Sequence, residues 1–217
     1  MKFKGVIFDL DGTLLDTIED IADSVNSVLK KHNFKTFPIS KYKVFVGDGL
    51  ETLMKRVVPK KFHNRKFISK LIRKMKKEYS LRWKNKTKVY PGVEQMLRKL
   101  QNKKVKIAVV SNKEDSFTKL MVKYFFPNIK FCYVVGAKKN LPIKPNPEGV
   151  LKIARKLNIS PEEFLYIGDT ATDMLTAVNA GMFPVGVRWG FRTKKELVKN
   201  GAKIVLNTPT ELFCKCF

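Results

Sequence analysis

The chain has 217 residues, 44% of them hydrophobic and 29% charged, which excludes disordered and fibrous proteins and allows a core without disulfide bonds. No stretch approaches the roughly 18 apolar residues of a membrane span and no signal-peptide pattern is seen, so we expect a cytoplasmic protein without a membrane partner. Its 44 basic and 19 acidic residues leave a net charge of +25, which predicts attraction to anions.

The first predicted elements are a short strand and a long helical region. Residues 3–8 form an apolar run that ends at an acidic residue and a turn-forming Asp-Gly pair, which is typical of a buried strand. Apolar residues then recur at three- and four-residue spacing over 18–29 and over most of 50–83, which predicts amphipathic helices. We therefore expect a helical domain over residues 16–89.

From residue 90 onward, strands are predicted to alternate with helices. The strands cover residues 105–110, 131–135, 164–167, 183–187 and 203–206, and the helices cover residues 93–102, 115–124, 147–157, 171–180 and 193–199. This alternation predicts an α/β fold with a doubly wound parallel sheet, which the strand at 3–8 joins because a lone strand is not stable. Residues 1–15 and 90–217 then form the core, and the helical domain 16–89 is a cap inserted after the first strand, over the carboxyl ends of the strands.

Four polar clusters fall at the ends of predicted strands or at the start of a predicted helix. They are Asp9-Leu10-Asp11-Gly12-Thr13, Ser111-Asn112-Lys113, Lys144-Pro145 and Gly168-Asp169-Thr170-Ala171-Thr172-Asp173. The carboxyl ends of parallel strands meet at one edge of the sheet, where ligands bind in this architecture. We therefore expect the acidic, hydroxyl and lysine side chains of the four clusters to form one site.

Clustered carboxylates at such an edge predict a metal ion. Left unpaired, they repel one another and any anionic substrate, and some of them stay protonated. Mg²⁺ prefers oxygen ligands and typically binds one or two carboxylates together with substrate phosphate. We assign it the side chains of Asp9 and Asp169, and Mn²⁺ is an alternative because it suits the same all-oxygen site.

In this order, the four clusters resemble the motifs of the haloacid dehalogenase (HAD) superfamily of phosphatases, which read Asp-x-Asp-Gly-Thr, Ser or Thr, Lys, and Gly-Asp-x-x-x-Asp. The resemblance implies a Rossmann-like HAD core and hydrolysis through an aspartyl-phosphate intermediate. It implies that Asp9 is the nucleophile and Asp11 the general acid and base. It also adds the backbone carbonyl of Asp11 to the metal ligands Asp9 and Asp169. Asp173 is expected to orient metal-bound water or Lys144.

Three positions are expected to hold the phosphoryl group. The Ser111 hydroxyl and the backbone N–H of Asn112 are candidates for binding its oxygens, and Lys144 brings a positive charge against it. Pro145 fits the first turn of a helix, which would place Lys144 at a fixed point at the helix entry. Lys113 is a further candidate for contact with the phosphate.

Two further segments resemble the phosphoglycolate phosphatase branch of the superfamily. They are Phe45-Val46-Gly47-Asp48-Gly49-Leu50 in the cap and Gly186-Val187-Arg188-Trp189-Gly190-Phe191 after a predicted strand. The resemblance implies that the cap loop Gly47, Asp48 and Gly49 helps to select the leaving group. It makes 2-phosphoglycolate the leading candidate substrate. A β-phosphoglucomutase-like sugar phosphomutase, a pyrophosphatase and a nucleotidase of the same superfamily are the alternatives.

The excess positive charge is concentrated in the cap. Residues 55–88 contain 15 basic residues and one acidic residue, Glu78. Such a surface either steers anionic substrates or is the solvated helix face of a lysine-rich chain. A binder of anionic polymers with a vestigial core is the alternative of a different class, but no helix-turn-helix, RNP or zinc-finger pattern supports a nucleic-acid partner. We expect a monomer or weak homodimer that acts on a small phosphorylated metabolite.

Overall fold

Residues 3–217, the part of the chain that the computed structural model describes, form eight strands and ten α-helices. The strands are β1 (Gly5–Phe8), β2 (Leu15–Asp16), β3 (Lys88–Val89), β4 (Lys106–Glu114), β5 (Tyr133–Ala137), β6 (Phe164–Gly168), β7 (Phe183–Val187) and β8 (Ile204–Leu206). The helices are α1 (Ile18–Lys30), α2 (Ile39–Phe45), α3 (Leu50–Val57), α4 (Arg65–Arg82), α5 (Val93–Asn102), α6 (Asp115–Phe125), α7 (Glu148–Leu157), α8 (Ala171–Ala180), α9 (Lys194–Lys199) and α10 (Glu211–Cys216). Within these residues, no helix has the length and apolar character needed to cross a membrane.

Six strands form one parallel sheet in the order β5-β4-β1-β6-β7-β8. In β1, Val6, Ile7 and Phe8 are fully buried, as expected for a strand whose sheet is covered by helices. The strand order reverses at β1, which lies between β4 and β6. The carboxyl ends of these three strands therefore form the switch point where such sheets bind ligands. The predicted doubly wound α/β fold is confirmed.

The chain divides into two compact units, one formed by residues up to Leu15 and from Val89 onward and the other by residues 16–88. In the second unit, α1 packs against α4. The buried Asp20 of α1 accepts hydrogen bonds from the backbone N–H groups of Lys86 (3.0 Å) and Thr87 (2.9 Å). The helical unit therefore has its own core and ties its last residues to its first helix.

The end of one strand near the site and the place of Pro145 differ from the prediction. Strand β4 continues to Glu114 instead of ending at residue 110, because its pairing with β5 resumes at Glu114 after an irregularity in register. Helix α7 begins at Glu148, so Pro145 does not lie in its first turn. The reason is local, since the Asn146 side chain accepts the Glu148 N–H at 2.9 Å and holds residues 146–148 in a turn ahead of the helix. The short helices α2 and α10 were not predicted.

Candidate active site

Asp9 and Asp169 follow neighbouring strands and lie close together. Phe8 pairs with Ile167 in the sheet, and the backbone N–H of Asp9 donates to the carbonyl of Ile167 at 2.9 Å. Both carboxylates are buried. Carboxylate oxygens of Asp9, Asp169 and Asp173 lie within 4.8 Å of one another. The fold therefore brings together the two side chains expected to bind the metal.

A tight turn follows Asp9 and includes Gly12. Its φ of 88° lies in the left-handed region that favours glycine, and a Cβ atom there would lie 2.3 Å from Asp169 Oδ2. Asp11 precedes Gly12 in this turn. Its Oδ1 and Oδ2 each accept a hydrogen bond from Lys113 Nζ at 3.1 Å. The sequence left Lys113 as a candidate for contact with the phosphate, and in the structure its ammonium group pairs with Asp11.

Both carboxylate oxygens of Asp169 are oriented by hydrogen bonds. Thr13 Oγ1 donates to Oδ1 at 3.1 Å, and the backbone N–H of Phe191 donates to Oδ2 at 2.8 Å. Among residues 3–217, no lysine or arginine lies within ion-pair distance of this carboxylate. Burial, with the charges of Asp173 and Asp9, raises the pKa of Asp169 well above its usual range. The carboxylate is thus positioned but lacks a counter-charge.

Lys144 lies between two carboxylates. Its Nζ is 2.8 Å from Asp9 Oδ1 and 2.6 Å from Asp173 Oδ1. The other oxygen of Asp173 accepts hydrogen bonds from the backbone N–H (3.0 Å) and Oγ1 (2.7 Å) of Thr170. Thr170 is the N-cap residue of α8, and the two residues form a capping box. Burial by itself lowers the pKa of Lys144, but the charges of Asp173 and Asp9 outweigh it and raise that pKa well above its usual range. Asp173 therefore both caps the helix and contacts Lys144.

The side chain of Asn112 holds the backbone of Lys144. Asn112 Nδ2 donates to the Lys144 carbonyl at 3.1 Å, and the Lys144 N–H donates to Asn112 Oδ1 at 2.8 Å. The role predicted for Asn112 involved only its backbone N–H, as a ligand of the phosphoryl group. Lys144 is therefore fixed by this pair of buried hydrogen bonds and not by a helical turn at Pro145, as the sequence predicted.

Ser111 and Asn112 lie within β4, near its carboxyl end, and not beyond the strand as predicted. Because Phe8 pairs with Val109 of β4, Ser111 is level with the residues that follow β1. Ser111 is buried, and its Oγ accepts a hydrogen bond from the backbone N–H of Lys113 at 3.3 Å. The predicted phosphate ligands thus lie at the same edge of the sheet as Asp9.

The site contains more negative than positive charge. Among residues 3–217, its charged side chains are those of Asp9, Asp11, Asp169, Asp173, Lys113 and Lys144. If all are ionised, four carboxylates face two ammonium groups. Burial raises the pKa of the Asp9 carboxyl to about 7, although the Lys144 ammonium opposes this shift. The buried Asp9 Oδ1 lies near the Lys144 ammonium group but accepts no well-aligned hydrogen bond.

These features fit a divalent cation. A charge of +2 balances the excess of two carboxylates, and a hard cation such as Mg²⁺ prefers carboxylate oxygens. The oxygens of Asp173 already have donors in Lys144 and Thr170. Asp169 also accepts a hydrogen bond at each oxygen, but unlike Asp173 it has no ion pair with Lys144, so Asp9 and Asp169 stay the side chains predicted to hold the ion.

The cap residues expected to select the substrate lie in the helical unit. Gly47, Asp48 and Gly49 form the loop between α2 and α3, with φ values of 124° and 85° at the two glycines. Asp48 Oδ2 is 2.6 Å from Arg56 Nη2, so the loop is joined to α3 by an ion pair. The part of this loop in substrate selection stays a prediction.

Three residues that contact the site had no role in the sequence analysis. The Tyr166 hydroxyl lies 3.4 Å from Asp173 Oδ1, and the Lys144 ammonium is 5.8 Å from the centre of its ring. Tyr166 was treated only as part of an apolar strand. Thr13 lies in the Asp-x-Asp-Gly-Thr motif and Trp189 in the segment 186–191 after β7. These patterns could have drawn attention to both residues, but they do not reveal what the side chains contact.

Comparison with known proteins identifies the family. The model of the haloacid dehalogenase-like hydrolase family matches residues 6–187 of this chain. The phosphoglycolate phosphatase of Psychrobacter arcticus is 31% identical over 214 residues, covering 96% of this chain and 90% of that protein. The phosphoglycolate phosphatase of Aquifex aeolicus is 32% identical over 186 residues, covering 86% and 85%. The crystal structure of a candidate phosphoglycolate phosphatase from Lactobacillus delbrueckii subsp. bulgaricus superposes with a TM-score of 0.91 at 29% identity, covering 98% of this chain and 97% of that one.

The chain belongs to the haloacid dehalogenase-like hydrolases, because the family model spans most of its length. Within that family it falls in the phosphoglycolate phosphatase branch, whose members match it over nearly the whole chain. Both steps of the resemblance found in the sequence, and the expectation of a phosphatase-type enzyme, are confirmed.

Proposed function

We propose that this protein is a Mg²⁺-dependent phosphomonoesterase that acts on a small phosphorylated metabolite, with 2-phosphoglycolate as the first candidate. The observation that carries the proposal is the buried cluster in which Asp9 and Asp169 lie together without enough positive charge to balance them. The relatives named phosphoglycolate phosphatase support the choice of substrate. When bound, Mg²⁺ would supply the positive charge that lets an anionic carboxylate approach a dianionic phosphate ester.

In the proposed reaction, Asp9 is the nucleophile. One of its carboxylate oxygens forms a bond to phosphorus while the bond between phosphorus and the ester oxygen breaks, which leaves an aspartyl-phosphate. Water then attacks this phosphorus, releases inorganic phosphate and restores the Asp9 carboxylate. Asp9 suits this role because it follows the central strand β1 and, among the described residues, none donates a well-aligned hydrogen bond to its Oδ1.

Asp11 is the proposed general acid and base. In the first step its carboxyl group donates a proton to the departing alkoxide, and in the second its carboxylate takes a proton from the attacking water. In the structure Lys113 contacts both Asp11 oxygens. To act as an acid, Asp11 must be protonated, and the incoming phosphoryl group offers the Lys113 ammonium another anionic partner.

The remaining residues are proposed to position and neutralise the phosphoryl group. The Ser111 hydroxyl and the Asn112 backbone N–H would bind its oxygens, and Lys144 would place a positive charge beside it. Asp173 would hold Lys144 in place, which is consistent with their 2.6 Å contact. We further propose that the helical unit acts as the cap and that its loop Gly47 to Gly49 selects the leaving group.

The proposal is tested by measuring phosphate release from a panel of phosphorylated metabolites that includes 2-phosphoglycolate. The wild type is expected to release phosphate in the presence of Mg²⁺, and this release should stop when EDTA is added to chelate the metal. Asp9→Asn is expected to lower turnover by about 10³-fold or more, because it removes the nucleophile. The control is Asp23→Asn, an exposed carboxylate in the helical unit that pairs with Lys86 at 2.9 Å, and it should retain activity.

Two results would overturn the proposal. One is Asp9→Asn protein that is folded and as active as the wild type. The other is conversion of a sugar phosphate into its isomer without phosphate release, which would make the enzyme a mutase.

A further inference from the structure

The segment Arg188–Phe191, which follows β7, contacts both acidic parts of the site. The Trp189 indole Nε1 donates to the carbonyl oxygen of Thr13 at 2.9 Å. The backbone N–H of Phe191 donates to Asp169 Oδ2 at 2.8 Å. We call residues 188–191 the bracing segment, because it links the turn after Asp9 to Asp169.

Gly190 lets the bracing segment approach this closely. A Cβ atom at Gly190 would lie 2.3 Å from the Cβ of Asp169 and 2.4 Å from the carbonyl oxygen of Gly12. Contacts shorter than 3 Å would force the backbone or the carboxylate to move. The segment therefore packs directly on the metal-binding carboxylate and on the turn that follows Asp9.

Thr13 connects these contacts into one network. Its carbonyl accepts the Trp189 N–H, and its hydroxyl donates to Asp169 Oδ1 at 3.1 Å. Trp189 therefore orients Asp169 through Thr13, while Phe191 orients it directly. Groups that hydrogen-bond to metal ligands fix ligand orientation, and their loss typically weakens metal binding by about 10- to 100-fold.

We infer that Trp189 is a positioning residue for the divalent cation. Its indole N–H fixes the turn at Thr13 and thereby the distance between Asp9 and Asp169. This inference rests on the proposed function, because it takes those two carboxylates as the metal ligands. The competing explanation is that the Trp189 ring only fills space, and a phenyl ring would then serve nearly as well.

The experiment compares two tryptophan-to-phenylalanine variants, since Trp83 and Trp189 are the two tryptophans of the chain. Trp189→Phe keeps an aromatic ring but removes the N–H, and Trp83→Phe is the matched control in the helical unit. Mg²⁺ binding to the metal-free protein is measured by titration calorimetry, without substrate. We expect the Kd for Mg²⁺ to rise about tenfold in Trp189→Phe and to stay within about twofold of the wild type in Trp83→Phe.

Turnover gives the second readout. A positioning role predicts that excess Mg²⁺ restores the kcat of Trp189→Phe, with KM for substrate unchanged at saturating Mg²⁺. Gly190→Ala, which keeps the indole but crowds Asp169, is expected to weaken Mg²⁺ binding at least as much, and it also serves if Trp189→Phe does not fold. An unchanged Kd in the folded variants, or a kcat that excess Mg²⁺ does not restore, would overturn the inference.

These results separate the inference from the proposed function. If the wild type shows Mg²⁺-dependent phosphate release and Trp189→Phe binds Mg²⁺ as well as the wild type, the inference alone fails. If no phosphate ester is hydrolysed but Trp189→Phe still binds Mg²⁺ more weakly, the inference holds and the proposed reaction fails.

Discussion

Lysine side chains have opposite environments in the two units of the chain. In the core, Lys113 and Lys144 are largely buried, and each lies within 3.1 Å of a carboxylate. In the helical unit, Lys66, Lys70 and Lys77 of α4 are exposed, and no carboxylate of the described residues lies within ion-pair distance of them. A buried charge must have a partner, whereas an exposed one is stabilised by water. In this lysine-rich chain, a buried side chain with a carboxylate partner therefore distinguishes the lysines of the site from those of the surface.

The largest effect is expected for the buried lysine that contacts two carboxylates. Lys144→Met should lower kcat/KM by about 10²- to 10³-fold, because it removes a preorganised positive charge. It should also lower the free energy of unfolding by about 3–5 kcal/mol, since Asp9 and Asp173 lose their buried partner. Phosphate release and urea unfolding measure the two effects.

The control is Lys152→Met, which removes an exposed lysine 3.6 Å from Glu148. It should change the free energy of unfolding by no more than about 1 kcal/mol and leave turnover unchanged. The contrast between buried and exposed lysines would not hold if Lys144→Met were folded and fully active.

An intermediate effect is expected at the residue that holds Lys144. Asn112→Leu removes both hydrogen bonds to the Lys144 backbone, so kcat should fall by about 10- to 100-fold through misplacement of the ammonium group. Stability should fall by about 1–3 kcal/mol, because buried backbone groups lose their partners. The matched control is Asn179→Leu, which removes a surface hydrogen bond to the carbonyl of Pro145 (3.0 Å). Equal kcat values for the two variants would show that the Asn112 amide does not matter for catalysis.

The smallest effect is expected on the exposed face of α4. The double variant Lys70→Gln and Lys77→Gln should leave kcat and stability unchanged, since neither lysine contacts a carboxylate within residues 3–217. Its kcat/KM should fall by at most about threefold at low salt, with the difference lost at high salt, because steering by exposed charges is screened. Lys123→Gln with Lys195→Gln removes the same charge from the core surface. A loss of kcat specific to the α4 variant would contradict this account.

The acidic part of the site was predictable because it depends on topology. Asp9 and Asp169 each follow a buried apolar run, and parallel strands bring such positions to one edge of the sheet. The Asp11-Gly12 pair likewise predicted a turn, which the positive φ of Gly12 confirms. The end of a strand and the residues that form a turn can both be recognised in short stretches of sequence.

The supporting contacts were not predictable in the same way. Asn112 and Lys144 are 32 residues apart, and Trp189 and Thr13 are 176 apart, so no local pattern links them. Their contacts depend on the path of two loops and on side-chain direction, which periodicity does not specify. The extension of β4 to Glu114 was missed for a related reason, because it depends on renewed pairing with β5.

We propose above that Asp9 and Asp169 together hold one divalent cation. It is tested by calorimetric titration of the protein with MgCl₂ at about pH 6 and about pH 8, with Asp169→Asn as the comparison. Because the pKa of Asp9 is raised to about 7, this carboxyl is mostly protonated at the lower pH and ionised at the higher one, and only the ionised form binds the cation. We predict a single site in the wild type whose Kd falls about tenfold as the pH rises, and no binding to Asp169→Asn. Equal Mg²⁺ affinity in the wild type and Asp169→Asn, or no Mg²⁺ binding to the wild type, would contradict the account.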